Sequence, residues 1–440
     1  MIKAGSSKLT SKKNYPWLVV GMLCFVALLN YLDRQMLATM KPFMEVDIVE
    51  LITATNFGRL MAVFLWVYAL MSPLSGIIAD RLNRKWLIVI SLFVWSGVTL
   101  SMGYARNMDQ LYILRAVMGI SEAFYVPAAL SLIADYHQGK TRSLAIGFHT
   151  SGIYLGQAFG GFGATLAAGT SWQFTFHSFG VVGMVYSLLL IAFLREKKTY
   201  TIDTIRKRSV RQEFSAMGKG LTMLFSNIAF WVILFYFSAP SLPGWATKNW
   251  LPTLFSESLH MGMEQAGPLS TMTLALASLV GVLAGGYLSD RWVAKRLKGR
   301  IYTSVIGLGL TIPALVLIGY GSGLFMIIAG ALLFGLGFGI FDVNNMPILC
   351  QFVPSRYRAT GYGFMNLAGI SAGAIITKEL GKALDAGYMN WVFVAMIGAV
   401  AAAIILQLTI LQPATIDMTD ELLTRENTPE IPRSCRDNMA

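Results

Sequence analysis

Charge is scarce in this sequence. Asp, Glu, Lys and Arg make up 13% of the 440 residues, and hydrophobic residues make up 55%. The charged share is about half that of an ordinary globular protein, which excludes the two or three soluble domains that length alone would suggest. Cysteine is scarcer still: Cys24 and Cys350 lie in or beside apolar runs, and Cys435 lies in the C-terminal segment. That placement offers neither a disulfide framework nor the spacing of a metal site. The glycine-rich segments follow no strand and precede no Lys-Ser/Thr pair, which excludes a phosphate-binding loop. With no zinc spacing and no nucleophile elbow, no catalytic constellation is found, and neither an enzyme nor a bound cofactor is expected. The N-terminus has a basic polar segment, but the apolar run after it is too long for a signal-peptide core and has no clear cleavage site. It reads as retained.

Apolar runs are what the sequence has in abundance. A helix needs about 20 apolar residues to cross a bilayer. Twelve candidate spans fall near 15–40, 56–79, 86–104, 109–134, 143–166, 173–194, 228–252, 267–288, 301–320, 323–350, 359–378 and 388–411. The expected fold class is an all-α membrane protein with twelve transmembrane helices. Pro240, Pro243, Gly244 and Pro252 predict a kink or local unwinding in the seventh span, and Trp245 and Trp250 an interfacial level. The net charge of +12 sits in the connections. One side receives the N-terminal lysines, Arg81 to Lys85, Lys140, Arg142, a basic central segment, Arg291 to Arg300, Arg356 and Arg358, while the other carries Glu45, Asp47 and Glu50. The positive-inside rule puts the basic side and both termini in the cytoplasm. The basic excess then reads as topology, with the lipid bilayer and not nucleic acid as the partner. A monomer in a bacterial inner membrane is expected.

Four charges break the apolar pattern. Asp33 and Arg34 lie side by side in Asn30-Tyr31-Leu32-Asp33-Arg34, within the first span, and Arg115 and Glu122 lie seven residues apart in the fourth. An ionised side chain at the bilayer centre costs at least ~2.5–3.5 kcal/mol unless it meets a partner or a water-filled cavity. Seven residues is close to two helical turns, so Arg115 and Glu122 share a helix face. Intramembrane charges of this kind mark ion and substrate pathways by default.

The chain also repeats itself. Gly76-Ile-Ile-Ala-Asp80-Arg81 returns as Gly286-Tyr-Leu-Ser-Asp290-Arg291, and Arg142, Gly147 and Phe148 return as Arg358, Gly363 and Phe364, at offsets of 210 and 216 residues. Two homologous six-helix halves follow, 1–194 and 228–412, joined by a cytoplasmic linker at 195–227 and followed by a tail at 413–440. Such repeats are a signature of transporters that hold substrate between halves and rock around it.

These residues resemble the Major Facilitator Superfamily over roughly 15–412. The family's loop signature stands here as Gly76-x-x-x-Asp80-Arg81-Leu82-Asn83-Arg84-Lys85, with Asn83 where glycine is commoner. The resemblance implies that Asp80, Arg81 and Arg84, and their counterparts Asp290 and Arg291, latch the halves on the cytoplasmic side. Within the superfamily, Tyr31-x-Asp33-Arg34, Arg115 with Glu122, Phe64-x-Trp66-x-Tyr68 and Asn249-Trp250-Leu251-Pro252 are similar to the anion:cation symporters. Arg81 to Lys85, Phe93-Val-Trp95-Ser96 and Gly119-Ile-Ser-Glu122-Ala123 are similar to the Spinster group of lysolipid transporters. The charges are common to both branches and do not choose between them.

One scheme accommodates the charges. Arg34 cannot deprotonate, and its planar fork suits a carboxylate, so it is the candidate for the substrate anion. Asp33 and Glu122 are the proton-coupling candidates, with Arg115 as their charge-pairing partner. As the resemblance also implies, protonating Asp33 would free Arg34. Tyr31 and Tyr68 line the cavity or simply pack; His149 and Gln157 bind substrate or hold structure; Asn345 and Asn366 read hydroxyls or join helices. Asp342 carries selectivity or pairs with Lys248. Glycines at 152, 156, 160, 161 and 163, and at 335, 337 and 339, permit close helix approach. The expected function is proton-coupled import of an acidic sugar or other small organic anion, the proton being the coupling ion. A lysolipid transporter, a neutral-saccharide symporter and a transporter-shaped sensor are the rivals.

Overall fold

The computed structural model describes residues 14–137, 141–197, 221–321, 323–354 and 357–418. Most of the expected linker, most of the expected tail and the side chains of Asp80 and Arg81 lie outside the described residues. Within them the chain is helical, with no strand. Helix α1 spans Tyr15–Met44 and is followed by a 3-10 turn, Val49–Ile52. Then come α2 (Ala54–Arg81), α3 (Arg84–Met102), α4 (Met108–Ala123), α5 (Tyr125–Tyr136), α6 (Arg142–Gly160), α7 (Phe162–Gly169) and α8 (Trp172–Phe193). The second set is α9 (Ile228–Leu259), α10 (Met263–Val293), α11 (Gly299–Tyr320), α12 (Leu324–Asp342), α13 (Asn345–Phe352), α14 (Arg358–Ala386) and α15 (Met389–Ile410).

Ten helical stretches among the described residues are long and apolar enough to cross a membrane, with α4–α5 and α12–α13 counting once each. The remaining two expected spans are helical but more polar. They are α6–α7 and α14, and both pack between neighbours: α6 along α1 and α10, α14 along α2 and α9. A helix with protein on two sides needs less apolar surface toward lipid. The glycines of α6 explain its close approach. Gly152, Gly156 and Gly160 lie against the backbone of Cys24, Leu28 and Leu32 of α1, where a β-carbon would collide.

Of the kink or local unwinding expected in the seventh span, helix α9 shows no unwinding. It runs unbroken through Pro240, Pro243 and Pro252. Each proline frees the carbonyl four residues earlier. Pro252 frees the Lys248 carbonyl, and Gln35 Nε2 of α1 donates to it at 2.7 Å. In α10, Pro268 frees the Glu264 carbonyl, which accepts from Thr165 Oγ1 of α7 at 2.7 Å. Trp250 is likewise no interfacial anchor: it is fully buried, donates from Nε1 to the Thr377 carbonyl at 2.9 Å and meets Phe57 edge-on.

These contacts lie toward the end of the bundle opposite the basic loops, and that end is shut. Asp385, in the last turn of α14, accepts from the Ala54 and Thr55 amides at 2.9 and 2.8 Å and from Thr55 Oγ1 at 2.6 Å. Thr271 Oγ1 of α10 donates to the Ala158 carbonyl of α6 at 2.9 Å. At the basic end, Asp290 and Arg291 are exposed and form no ion pair with a described residue. Arg84 binds Asp135, while the Arg84 and Lys85 amides bind the Glu196 carboxylate at 3.2 and 2.8 Å. Here Arg84 ties α3 to α5 and the exit of α8, inside one half.

Candidate functional site

Helix α1 carries Asp33 and Arg34 to different places because successive helical residues point about 100° apart. Arg34 turns toward α4, where its Nε donates to Glu122 Oε2 at 2.6 Å. Both are deeply buried, with side-chain exposures of 9% and 0%, so each charge depends on the other. Asp33 turns toward α3 and accepts from Thr99 Oγ1 at 3.2 Å. The expected division of labour therefore differs: Arg34, and not Arg115, holds Glu122. Arg115 forms no ion pair with a described residue, and its Nη1 approaches Met118 Sδ at 3.2 Å.

Aromatic rings hold both guanidiniums. The Arg34 carbon lies 4.8, 4.7 and 4.7 Å from the ring centres of Tyr31, Phe64 and Tyr68, and that of Arg115 lies 4.5 Å from Phe64. Phe64 and Tyr68 are four residues apart on α2, hence on one face. Rings attract desolvated cations through their quadrupoles. Several polar atoms here are buried without a partner among the described residues: Arg34 Nη2, Glu122 Oε1, Arg115 Nε and the Asn30 amide atoms. Buried polar groups are seldom left so, and a water or a polar ligand is the natural partner for atoms gathered in this way.

The second half contributes a cation and an acid. The Lys248 ammonium lies 5.2 Å from the Trp245 ring centre and 5.3 Å from that of Phe338. Asp342, at the end of α12, is exposed although it lies within the α12–α13 stretch. It accepts from Asn345 Nδ2 at 3.1 Å and, across the two halves, from Tyr154 Oη at 3.4 Å.

The remaining candidates separate. Asn345 is engaged on both sides, since its Oδ1 also accepts from Tyr236 Oη at 3.0 Å. Asn366 lies beside the Tyr362 hydroxyl. Gln157 joins Gln35, Thr247, Ser270 and Thr271 in a narrow polar seam between α1, α6, α9 and α10. His149 is apart from the charges: its Nε2 lies 2.9 Å from Tyr125 Oη, which donates to the Leu23 carbonyl. Sequence reasoning passed over Gln35, Thr99 and Tyr154. Gln35 was detectable as a third polar residue directly after Asp33 and Arg34; Thr99 and Tyr154 had no comparable signal, because hydroxyls recur in ordinary membrane helices.

The chain as a whole is similar to known transporters. The 4-hydroxybenzoate transporter PcaK of Acinetobacter baylyi is 27% identical, over 89% of this chain and 90% of its own length. The D-galactonate transporter of Escherichia coli is 26% identical, over 84% of this chain and 90% of its own. Among solved structures, a bacterial homologue of the human lysosomal transporter Spinster, inward-facing and occupied, shares the fold. Its TM-score is 0.69 at 19% identity, covering 90% of this chain and 96% of that one. The model of the Major Facilitator Superfamily matches residues 23–377, a stretch holding both the α1–α4 charges and Lys248 and Asp342, and the chain belongs to that superfamily of membrane transporters.

Proposed function

We propose that this transporter is a proton-coupled symporter that imports a small organic anion, of the acidic-sugar type, by alternating access between halves at 1–194 and 228–412. The observation that carries the reading is the buried Arg34–Glu122 pair, in which Arg34 keeps Nη2 unpartnered among the described residues. A proton on Glu122 removes the charge that holds Arg34, and the freed guanidinium offers its fork to a substrate carboxylate. Proton and anion then enter together, because an unpaired guanidinium in the membrane interior is costly. Asp33, held among the described residues by the Thr99 hydroxyl alone, is a second proton site, and Lys248 supplies a cation from the other half. The shut end faces the source of substrate, and the basic end, with both termini, lies in the cytoplasm.

A second reading has its own support: the rings around Arg34 and Lys248 suit an aromatic acid, the substrate type in the name of the A. baylyi relative.

The test is uptake into proteoliposomes under an inward proton gradient. The panel is galactonate, galacturonate, 4-hydroxybenzoate, a neutral sugar and a lysolipid. Accumulation of an acid, abolished by Arg34→Ala, is expected. Movement of only the neutral sugar or the lysolipid would overturn the assignment of Arg34. Asp33→Asn is expected to abolish gradient-driven accumulation while sparing exchange.

A further inference from the structure

We infer that the protein has a lateral binding site for an anionic phospholipid, on the outside of the α2–α14 seam and separate from the transport site. A cavity of about 300 Å³ opens there, lined by Arg59, Ala62, Val63 and Trp66 of α2, Tyr112 of α4 and Lys378 of α14. Two cations and a phenol converge on it. Arg59 and Lys378 form no ion pair with a described residue; Glu379, beside Lys378, is engaged with Lys382 at 2.7 Å. Asp109, the other acid near Tyr112, binds neither cation.

Depth selects the ligand. Arg59 lies five residues into α2, Tyr112 four into α4, and Lys378 eight before the end of α14. At 1.5 Å per residue these are depths of roughly 6–12 Å below the helix ends, on the side opposite the basic loops. Helices α2 and α14 and the α4–α5 stretch, of 28, 29 and 29 residues, outreach the hydrocarbon core, so that depth is where headgroups meet acyl chains. Toward the bilayer centre, exposed Leu70 and Trp66 follow on α2 and Ile375 on α14, an apolar track for a chain. Phosphate above and hydrocarbon below is the chemistry of a membrane lipid. Snorkelling to water would satisfy each cation alone but leaves their convergence on one concavity unexplained.

The site spans the two halves, Arg59 from one and Lys378 from the other. A bound phosphate bridges them close to the Asp385 contact with α2 and favours the state shut at this end. The lipid is therefore a regulator of the alternation, whatever the transported substrate is.

Native mass spectrometry of the full chain in neutral detergent tests this, with phosphatidylglycerol, phosphatidylcholine and soluble glycerol 3-phosphate as probes. Phosphatidylglycerol is expected to be retained in preference to phosphatidylcholine, about fivefold more weakly for each of Arg59→Gln and Lys378→Gln. Glycerol 3-phosphate is expected not to displace it. Unchanged retention in R59Q/K378Q would overturn the proposal, as would equal retention of phosphatidylcholine. Displacement by glycerol 3-phosphate would also overturn it, making this a soluble-anion site. An unaltered melting temperature in phosphatidylcholine identifies variants that fold, and each single variant carries the test if the double does not.

Discussion

At the residue scale the central fact is a charge pair that neither partner can leave without cost. Removing one member of a buried pair costs about 3–5 kcal/mol, because the other charge stays unpaired. Glu122→Gln is therefore expected to destabilise the protein by about that amount in denaturant titration, and Arg34→Gln likewise. The double variant is expected to recover much of the loss, since no charge remains stranded. Strict additivity would mean that the 2.6 Å contact contributes nothing. The charges themselves were legible from sequence, because an Asp or Arg in an apolar run stands out against its background. Their pairing was not. Asp33 and Arg34 are neighbours in sequence but diverge around α1, one reaching Thr99 and the other Glu122. The azimuth of α1 against α3 and α4, which no local pattern encodes, decides who meets whom. Sequence reasoning named both Asp33 and Glu122 as proton-coupling candidates; in the proposed mechanism the group whose proton releases Arg34 is Glu122, its partner in the pair, and Asp33 is the second proton site.

At the scale of elements, prolines in α9 and α10 join the halves. The sequence showed the prolines and predicted a kink or local unwinding in the seventh span. It could not show that a partner helix supplies a replacement donor. Gln35 does so for the Lys248 carbonyl and Thr165 for the Glu264 carbonyl. Gln35→Leu leaves the first carbonyl without its donor, a loss of about 1–3 kcal/mol for a buried group. That loss falls on the state shut at this end, where α1 and α9 touch. Faster hydrogen–deuterium exchange across residues 245–255 is the expected outcome, with exchange in α3 unchanged. Equal exchange in the variant and the parent would show that the bond does not hold the seam.

For the whole molecule, the asymmetry between its ends is the property that function requires, and it rests on few groups. The repeat of Gly76 to Arg81 at Gly286 to Arg291 made two halves legible, because equivalent loops keep equivalent residues. Which end would be shut was not legible, since one sequence encodes both states of an alternating transporter and their difference is only a few kcal/mol. Asp385 acts on that difference. Its carboxylate takes the Ala54 and Thr55 amides, donors that a helix start otherwise leaves free, and lies at the positive end of the α2 dipole. Losing such a cap typically costs about 1 kcal/mol, here only in the state that brings α14 to α2. Asp385→Ala is therefore expected to raise the population open at this end about fivefold, by the ratio that energy implies. The measurement is labelling of a cysteine placed at Gln157, in the seam behind the closed end, by a membrane-impermeant maleimide added from that side. Asp385 and Gln35 hold different partners, Ala54 and Thr55 for the one and the Lys248 carbonyl for the other, so Gln35→Leu and Asp385→Ala are expected to multiply their effects. Labelling that stays at the parent rate in Asp385→Ala would mean the cap persists in both states, and closure would then rest on the α6–α10 contact through Thr271 and Ala158.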